Sequence, residues 1–154
     1  MRKKALRCGA LGLAALLQCL TLPARTLACV VGTGTGASCT ELALNACLPG
    51  GGSFDGTVTF NCGNAARITV TSTKTISADT TIDCGSLITI SGGNSVGIFF
   101  VANSAKFTVQ NLTIANGNYG GYGGGIYNYN GTLTVTNSTF SGNSDGIVYS
   151  GVSP

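Results

Sequence analysis

The sequence predicts an all-β fold, a right-handed parallel β-helix (a solenoid) of about four coils that follows a short capping helix. Two observations carry this prediction. Apolar and polar residues alternate strictly in residues 68–71 and 133–136, which is the pattern of half-buried strands. The strands also recur every 24 to 26 residues, a period typical of repeat architectures. Because strand alternation excludes helical repeats, each period is interpreted as one coil of three short strands.

The first 28 residues predict a secretory signal peptide. A basic start is followed by an apolar run over residues 10–22, and the small residues Thr26 and Ala28 suit cleavage before Cys29. This run is shorter than the roughly 20 residues that a membrane-spanning helix needs, so a retained membrane anchor is the weaker alternative. We therefore expect an exported protein, extracellular or on the cell surface, with no membrane span in its mature part.

The charge distribution excludes several function classes. Five of the eight basic residues lie in the first 28 positions, and all five acidic residues lie after them, so the remainder carries a net charge of −2. A nucleic-acid partner would need a basic surface, which this remainder lacks. The sequence contains no His, the commonest general base and metal ligand near neutral pH. We expect no cofactor, no metal site, no catalytic residues and no nucleic-acid partner.

Five cysteines follow the predicted cleavage point, and export would permit disulfides. The disulfide candidates are Cys29, Cys39, Cys47 and Cys62. The preferred pairing joins Cys29 to Cys39 and Cys47 to Cys62, and it leaves Cys84 over. Spacing leaves the other connectivities open, because four cysteines already allow three of them. A lipid-modified Cys29 is a further alternative.

Residues 29–57 are predicted to form an N-terminal cap with a short helix at about residues 40–47. Ser38 and Glu41 match a capping box, and Pro49 with the glycines after it ends the helix. Solenoids need a cap on the apolar end of their first coil. We expect this helix to provide it.

Residues 58–154 are predicted to form the coils. Repeat spacing aligns Leu133 with Phe107, Phe107 with Ile82, Leu112 with Ile88, and Ile82 with Val58. Third strands are expected at residues 98–101, 126–128 and 147–149. The side chains expected to point inward are Val58, Phe60, Ile68, Val70, Ile76, Ile82, Ile88, Ile90, Phe107, Val109, Leu112, Ile114, Ile126, Leu133, Val135 and Phe140.

Two asparagines share one position of the repeat. Asn111 and Asn137 are 26 residues apart and follow the same strand. Since Asn is a common turn residue, we expect both to lie at one corner of the solenoid, with their amides bonded to each other along the axis. This structural Asn ladder is favoured over a role in ligand binding.

A glycine-rich insertion interrupts the period at residues 117–125. In solenoids, insertions form loops on one face, which is often the binding face. Tyr119 and Tyr122 make this segment a candidate binding loop, since tyrosine rings stack on sugars and on protein surfaces. The alternative is an exposed turn without a partner.

Two short motifs indicate a family. Gly124, Gly125 and Ile126 form a motif of two glycines and an apolar residue, and residues 140–143 match FxxN. They resemble the repeats of polymorphic outer-membrane proteins, bacterial surface β-helix proteins of the pectin-lyase-like superfamily. The resemblance covers about residues 29–150. It implies surface display, with an outer-membrane anchor or translocator beyond this sequence.

Members of this family usually have many more coils, so we expect the N-terminal part of a longer protein, truncated at its C-terminal end. An uncovered last coil would present unpaired strand edges, which promote association between chains. We therefore expect end-to-end self-association if the chain ends at residue 154.

These observations favour a non-catalytic exported surface or passenger domain for adhesion or display, whose partner is a host or environmental glycan or protein surface. The alternative is a fragment of a polysaccharide-binding or polysaccharide-degrading protein, similar to the lyases of this fold. Asp79 and Asp83 are the closest pair of acids. In an extended strand they would lie about 13 Å apart, too far for paired acid–base catalysis.

Overall fold

A computed structural model of the chain describes residues 28–150, and the predicted signal peptide lies outside this range apart from Ala28. Within the range the predicted fold class is confirmed, because parallel strands stack into a β-solenoid of about four turns that carries one short α-helix. In chain order the elements are β1 (Cys29–Val31), a 3-10 helix (Gly36–Ser38), α1 (Glu41–Cys47), β2 (Thr57–Phe60), β3 (Ala66–Thr69), β4 (Lys74–Ile76), β5 (Thr80–Ser91), β6 (Phe99–Val101), β7 (Lys106–Ala115), β8 (Ile126–Tyr129), β9 (Thr132–Thr136), β10 (Thr139–Ser141) and β11 (Ile147–Ser150).

The strands stack in three columns, and every pairing between them is parallel. The first column contains β1, β2, the first part of β5, the first part of β7, and β9. The second contains β3, the last parts of β5 and β7, and β10. The third contains β4, β6, β8 and β11. The long strands β5 and β7 therefore turn a corner and join two columns.

The predicted repeat register is confirmed at most of the places where it was specified. The confirmed pairs are Val58 with Ile82, Ile88 with Leu112, and Phe107 with Leu133. The three expected third strands correspond to β6, β8 and β11, which align through Phe99, Ile126 and Ile147. Sequence spacing alone is therefore sufficient to stack the coils correctly along most of the axis.

One predicted alignment is wrong. Phe107 pairs with Thr80, not with Ile82. The register between β5 and β7 shifts between Asp83 and Ile88, where β5 carries more residues through the corner than β7 does. Because the extra residues bulge at the corner, the repeat spacing from β5 to β7 differs between the first and the second column. A single repeat length therefore misaligns Phe107.

Apolar side chains fill the interior between the columns. Twelve of the sixteen residues predicted to point inward are buried. The four others lie nearer the surface: Phe60, Leu133 and Phe140 are partly buried, and Val135 is 36% exposed. The third column adds Ile98, Phe99 and Val101 to the core, and the ring of Phe99 lies 5.0 Å from that of Phe107.

The helix α1 lies within the predicted residues, but its capping residue differs from the prediction. Thr40 is the N-cap, and its hydroxyl accepts a hydrogen bond from the Ala43 amide at 3.2 Å. The predicted capping box of Ser38 and Glu41 is wrong, because the Ser38 hydroxyl bonds to the backbone of the preceding turn. Leu44 is fully buried, so the apolar side of α1 packs into the core.

Two disulfides fix the cap to the first coil, with a connectivity that differs from the preferred one. Cys29 pairs with Cys47 and Cys39 pairs with Cys62, at Cα–Cα distances of 5.4 and 5.7 Å. The predicted pairing of Cys29 with Cys39 and of Cys47 with Cys62 is wrong. The chain folds back after β1, so the end of α1 returns to the start of β1, whereas proximity in sequence favoured the nearest cysteines.

Candidate functional site

The glycine-rich insertion projects its two tyrosines onto the outside of the third column. Tyr119 and Tyr122 face each other across a short antiparallel bridge. Tyr119 lies directly over Gly97, where an added Cβ would come within 2.8 Å of the tyrosine Cβ. A larger residue at Gly97 would therefore displace the ring. The loop is held against the coil at Asn118, whose backbone amide donates a hydrogen bond to the Val96 carbonyl at 2.9 Å.

Three further aromatic rings come from the strands of the same column. Alternation along β6 places Phe99 inside and Phe100 outside, and alternation along β8 buries Ile126 and leaves Tyr127 partly exposed. Tyr129, two residues further along β8, is 44% exposed. Phe100 and Tyr127 are register partners on adjacent coils. The parallel stacking of the coils therefore brings rings from different periods to one surface.

Together the five rings form a continuous surface, the aromatic array (Phe100, Tyr119, Tyr122, Tyr127 and Tyr129). Tyr127 is at its centre, with ring centroids 5.2 Å from Tyr122, 5.6 Å from Phe100, 6.2 Å from Tyr119 and 6.5 Å from Tyr129. Tyr119 and Tyr122 are 5.6 Å apart, and Phe100 stacks on Tyr129 at 6.2 Å. The array thus consists of two triads of rings that share Tyr127.

A buried amide fixes one end of the array. Asn128 is fully buried, and its side chain accepts a hydrogen bond from the Gly131 amide at 3.1 Å and donates to the Gly131 carbonyl at 3.0 Å. Asn130, between them, adopts a left-handed backbone with φ of 56°. These bonds close the turn after β8, so they fix the strand end that carries Tyr129.

A shallow, uncharged groove borders the other end of the array. It has a volume of about 450 Å³ and lies beside Tyr119. Its lining is Thr73, Ser95, Val96, Gly97, Asn118, Tyr119 and Gly120, which includes no charged residue. Hydroxyl and amide groups therefore lie next to the exposed rings.

The basic side chains of the described residues are all engaged elsewhere. Lys74 is buried and forms an ion pair with Glu41, and Arg67 donates to the Ser91 hydroxyl at 2.7 Å. Lys106 lies 3.9 Å from Asp79 at an exposed position. None of these three residues is a ring of the aromatic array or lines the groove beside it.

The two predicted ladder asparagines occupy equivalent corners. Asn111 and Asn137 both adopt left-handed backbones, with φ of 54° and 46°. The Asn111 side chain donates to the carboxylate of Asp83 at 2.9 Å. The expected bond between the two side-chain amides is not among the hydrogen bonds of residues 28–150. Asn111 bonds instead to Asp83, one coil earlier. Asn137 is exposed.

The carboxylates stabilise turns and corners. Asp83 accepts from the Gly85 amide at 3.3 Å as well as from Asn111, and Asp79 accepts from the Lys106 amide at 2.9 Å. Cys84, the one cysteine of residues 28–150 without a disulfide, is buried. Burial, with a contribution from the charge of Asp83, raises the pKa of its thiol well above the ordinary range. This thiol therefore stays protonated and unreactive.

Sequence inspection selected Tyr119 and Tyr122 but missed Phe100, Tyr127 and Tyr129. A usable signal was present, since Tyr127 and Tyr129 are two residues apart and therefore share one strand face. Phe100 joins them only through the coil register. Recognising the whole array required the third column to be aligned together with the insertion loop.

No protein-family profile, curated protein or solved structure matches the chain. None of the helices described between residues 28 and 150 is long and apolar enough to cross a membrane. In the same range, His, Cys, Asp and Glu side chains form no group of three or more that could hold a metal ion.

Proposed function

We propose that this protein is an exported, non-catalytic β-solenoid domain that presents the aromatic array to a ligand on another surface, in adhesion or display. The single observation that carries the proposal is the array itself. Tyr119, Tyr122 and Tyr129 are 36%, 53% and 44% exposed, although large aromatic rings gain stability from burial. Contiguous exposed apolar surface of this kind marks interaction sites.

Location outside the cell is part of the proposal. Two disulfides in the cap suit an oxidising compartment, and the N-terminal sequence suits export. The motif at Gly124, Gly125 and Ile126 supports membership of the polymorphic outer-membrane protein type. In that case an anchor or translocator elsewhere in the full protein would hold the domain at the outer membrane.

A polysaccharide-binding protein is the alternative that the array also favours, because tyrosine rings on a flat strand face suit sugars. A polysaccharide-degrading activity has less support. Asp79 and Asp83 are engaged by backbone amides and by Asn111, so they act as turn and corner acceptors.

The experiment uses the full chain produced in a secreting host and coupled to beads. Binding of the beads is measured on bacterial and plant cell walls, cultured epithelial cells and extracellular-matrix proteins. We expect wild-type beads to bind at least one of these surfaces and Tyr122→Ala beads to bind it several-fold less. The matched control is Leu42→Ala, which removes a side chain that is 79% exposed on α1, away from the array.

Equal binding by wild type and Tyr122→Ala on every surface would overturn the proposal. Recovery of the chain only in the cytoplasm of the secreting host, with its cysteines reduced, would overturn its exported location. Ligand binding by the array and export of the protein are therefore tested by separate measurements.

A further inference from the structure

We propose, on the basis of the function proposed above, that the aromatic array binds an uncharged, extended polysaccharide whose sugar rings lie along β8. Tyr129 lies two residues beyond Tyr127 on β8, and Tyr119 and Tyr122 lie on the loop that precedes this strand, so rings of the two triads flank Tyr127. A ligand that contacts both triads must be elongated in the strand direction. A linear glycan chain has this shape.

The chemistry of the array suits a sugar. A pyranose whose hydroxyls are equatorial has two apolar C–H faces and a polar rim. Tyrosine offers the complementary arrangement, because its ring is apolar and its hydroxyl is a donor and an acceptor. Next to the rings, the groove beside Tyr119 includes the polar side chains of Asn118, Ser95 and Thr73, which provide partners for hydroxyls on the rim.

Charge complementarity favours a neutral glycan over an acidic one. None of the three basic residues of the described range is a ring of the array or lines the adjacent groove, and the range as a whole carries more acids than bases. A uronic-acid chain would bring carboxylates to a surface without a free cation, and their loss of hydration would not be compensated. A nucleic acid is disfavoured on the same ground, because its phosphates need basic contacts.

The geometry of the rings disfavours a small cationic ligand. A site for a quaternary ammonium group is an aromatic cage, in which several ring faces surround the cation. Here the rings contact one another at 5.2 to 6.5 Å, most of them tilted by 45° to 57°, and they cover an outer strand face. The rings therefore form a surface of contacting side chains rather than a cage.

A protein partner is also less well matched. Protein interfaces combine aromatic anchors with arginine and methionine, and a desolvated core is surrounded by a polar rim. Beside the array the exposed side chains are those of Ser95 and Asn118, and the partly buried Thr73 and Val96 complete the lining with glycines. This composition offers stacking and hydroxyl contacts, which are the two interactions that a neutral sugar chain requires.

The test measures binding of the full chain to oligosaccharides by calorimetry. The neutral probes are three β-1,4-linked hexasaccharides: cellohexaose, mannohexaose and xylohexaose. The corresponding disaccharides (cellobiose, mannobiose and xylobiose) are the short comparisons. Hexagalacturonate is the acidic control. We expect at least one neutral hexasaccharide to bind at least tenfold more tightly than its disaccharide and than hexagalacturonate. The reason is that a hexasaccharide can cover all five rings of the array at once, whereas a disaccharide can cover only part of it.

Two variants locate the site. Tyr122→Ala removes one ring from an exposed loop and is expected to weaken binding by about tenfold, comparable with the loss of one stacking ring on a nucleic-acid platform. Tyr122→Phe keeps the ring and should retain most of the affinity. Leu87→Ala, which removes a side chain that is 55% exposed away from the array, should bind as wild type does.

Three results would overturn the inference: no neutral hexasaccharide binds, hexagalacturonate binds as tightly as the best neutral chain, or Tyr122→Ala binds as wild type does. Preferential binding of choline or of a matrix protein at the array would overturn it as well. If Tyr122→Ala beads lose surface binding while no neutral glycan binds, the proposed function stands and the ligand class is wrong. If bead binding does not depend on Tyr122, the proposed function itself fails.

Discussion

The Nζ atom of Lys74 lies 2.5 Å from Oε1 of Glu41, although the two residues are 33 positions apart. Glu41 begins α1 and Lys74 begins β4, so this ion pair joins the cap to the third column. Glu41 also accepts from the Thr71 amide at 2.8 Å and from the Thr71 hydroxyl at 2.9 Å. The carboxylate that was expected to cap its own helix instead fastens that helix to the first coil.

Removing one member of this pair should destabilise the protein. In Glu41→Gln, the ammonium group of Lys74, whose side chain is only 5% exposed, loses its charged partner. We expect a loss of about 2 kcal/mol in the free energy of unfolding, measured with urea, since a buried charge is left uncompensated. The double variant Glu41→Gln with Lys74→Met should recover part of it. Additive effects of the two substitutions would contradict a direct interaction.

The same pair predicts how stability depends on pH. Burial tends to raise the pKa of Glu41, but the hydrogen bonds from Lys74 and Thr71 and the charge of Lys74 outweigh it, so the pKa lies below its ordinary value of 4.5. The stability from this carboxylate is therefore present above the unfolded pKa and is lost as the pH falls through the folded one.

Urea titrations from about pH 6 to about pH 3 check this dependence. Wild type should lose more stability over this interval than Glu41→Gln, which has no carboxylate to protonate at this position. Asp145→Asn, which removes an exposed acid away from α1, is the control variant. Parallel curves for wild type and Glu41→Gln would contradict the lowered pKa.

The two disulfides should each contribute measurably to stability. They join residues 18 and 23 positions apart, and loops of this length correspond to about 3 kcal/mol each in the chain-entropy description. Peptide mapping without reduction should recover the Cys29–Cys47 and Cys39–Cys62 peptides. Replacing Cys39 and Cys62 together by serine should lower the urea midpoint. Recovery of a Cys29–Cys39 peptide would contradict the folded connectivity.

Cys84 should resist chemical modification in the folded protein. Its thiol is buried, and its raised pKa leaves little of the reactive thiolate at neutral pH. We expect iodoacetamide to label Cys84 slowly in the native state and completely in urea, as followed by mass spectrometry of the peptide that contains it. Rapid native labelling at Cys84 would show that the second coil opens at this corner.

The sequence was sufficient to predict the features that depend on short-range alternation and on a fixed period. Strand faces such as Ile88 to Ile90 follow from alternate burial, and the pairing of Phe107 with Leu133 follows from the repeat. These features were predictable because each coil repeats the same strand pattern and contacts only the coils next to it.

Other features depend on how the chain returns after a turn, and the sequence did not reveal them. The partner of Cys29 depends on the fold-back of α1, and the partner of Glu41 is a lysine in the third column. Likewise, Phe100 reaches the tyrosines of the array only through the coil register. In each case two residues distant in sequence meet in space, and local spacing carries no information about that contact.

Substitutions at Asn111 can distinguish two contributions to stability: its left-handed backbone conformation and the hydrogen bond of its side chain. Asn111 holds a left-handed backbone with φ of 54°, and its amide donates to Asp83 at 2.9 Å. Asn111→Gly keeps the conformation accessible and loses only the bond, so we expect a cost of about 1 kcal/mol. Asn111→Ala also places alanine in the left-handed region, which it tolerates less well than Asn because it has no polar side chain to bond locally, and this adds up to about 1 to 2 kcal/mol.

Asn137 is the matched control, because it has the same backbone conformation but is exposed. Asn137→Ala should lose only the conformational part, about 1 to 2 kcal/mol, and Asn137→Gly should be nearly neutral. Urea unfolding of the four variants separates the two contributions. Equal losses for Asn111→Gly and Asn137→Gly would show that the bond to Asp83 contributes nothing, and equal losses for Asn111→Ala and Asn111→Gly would remove the conformational contribution.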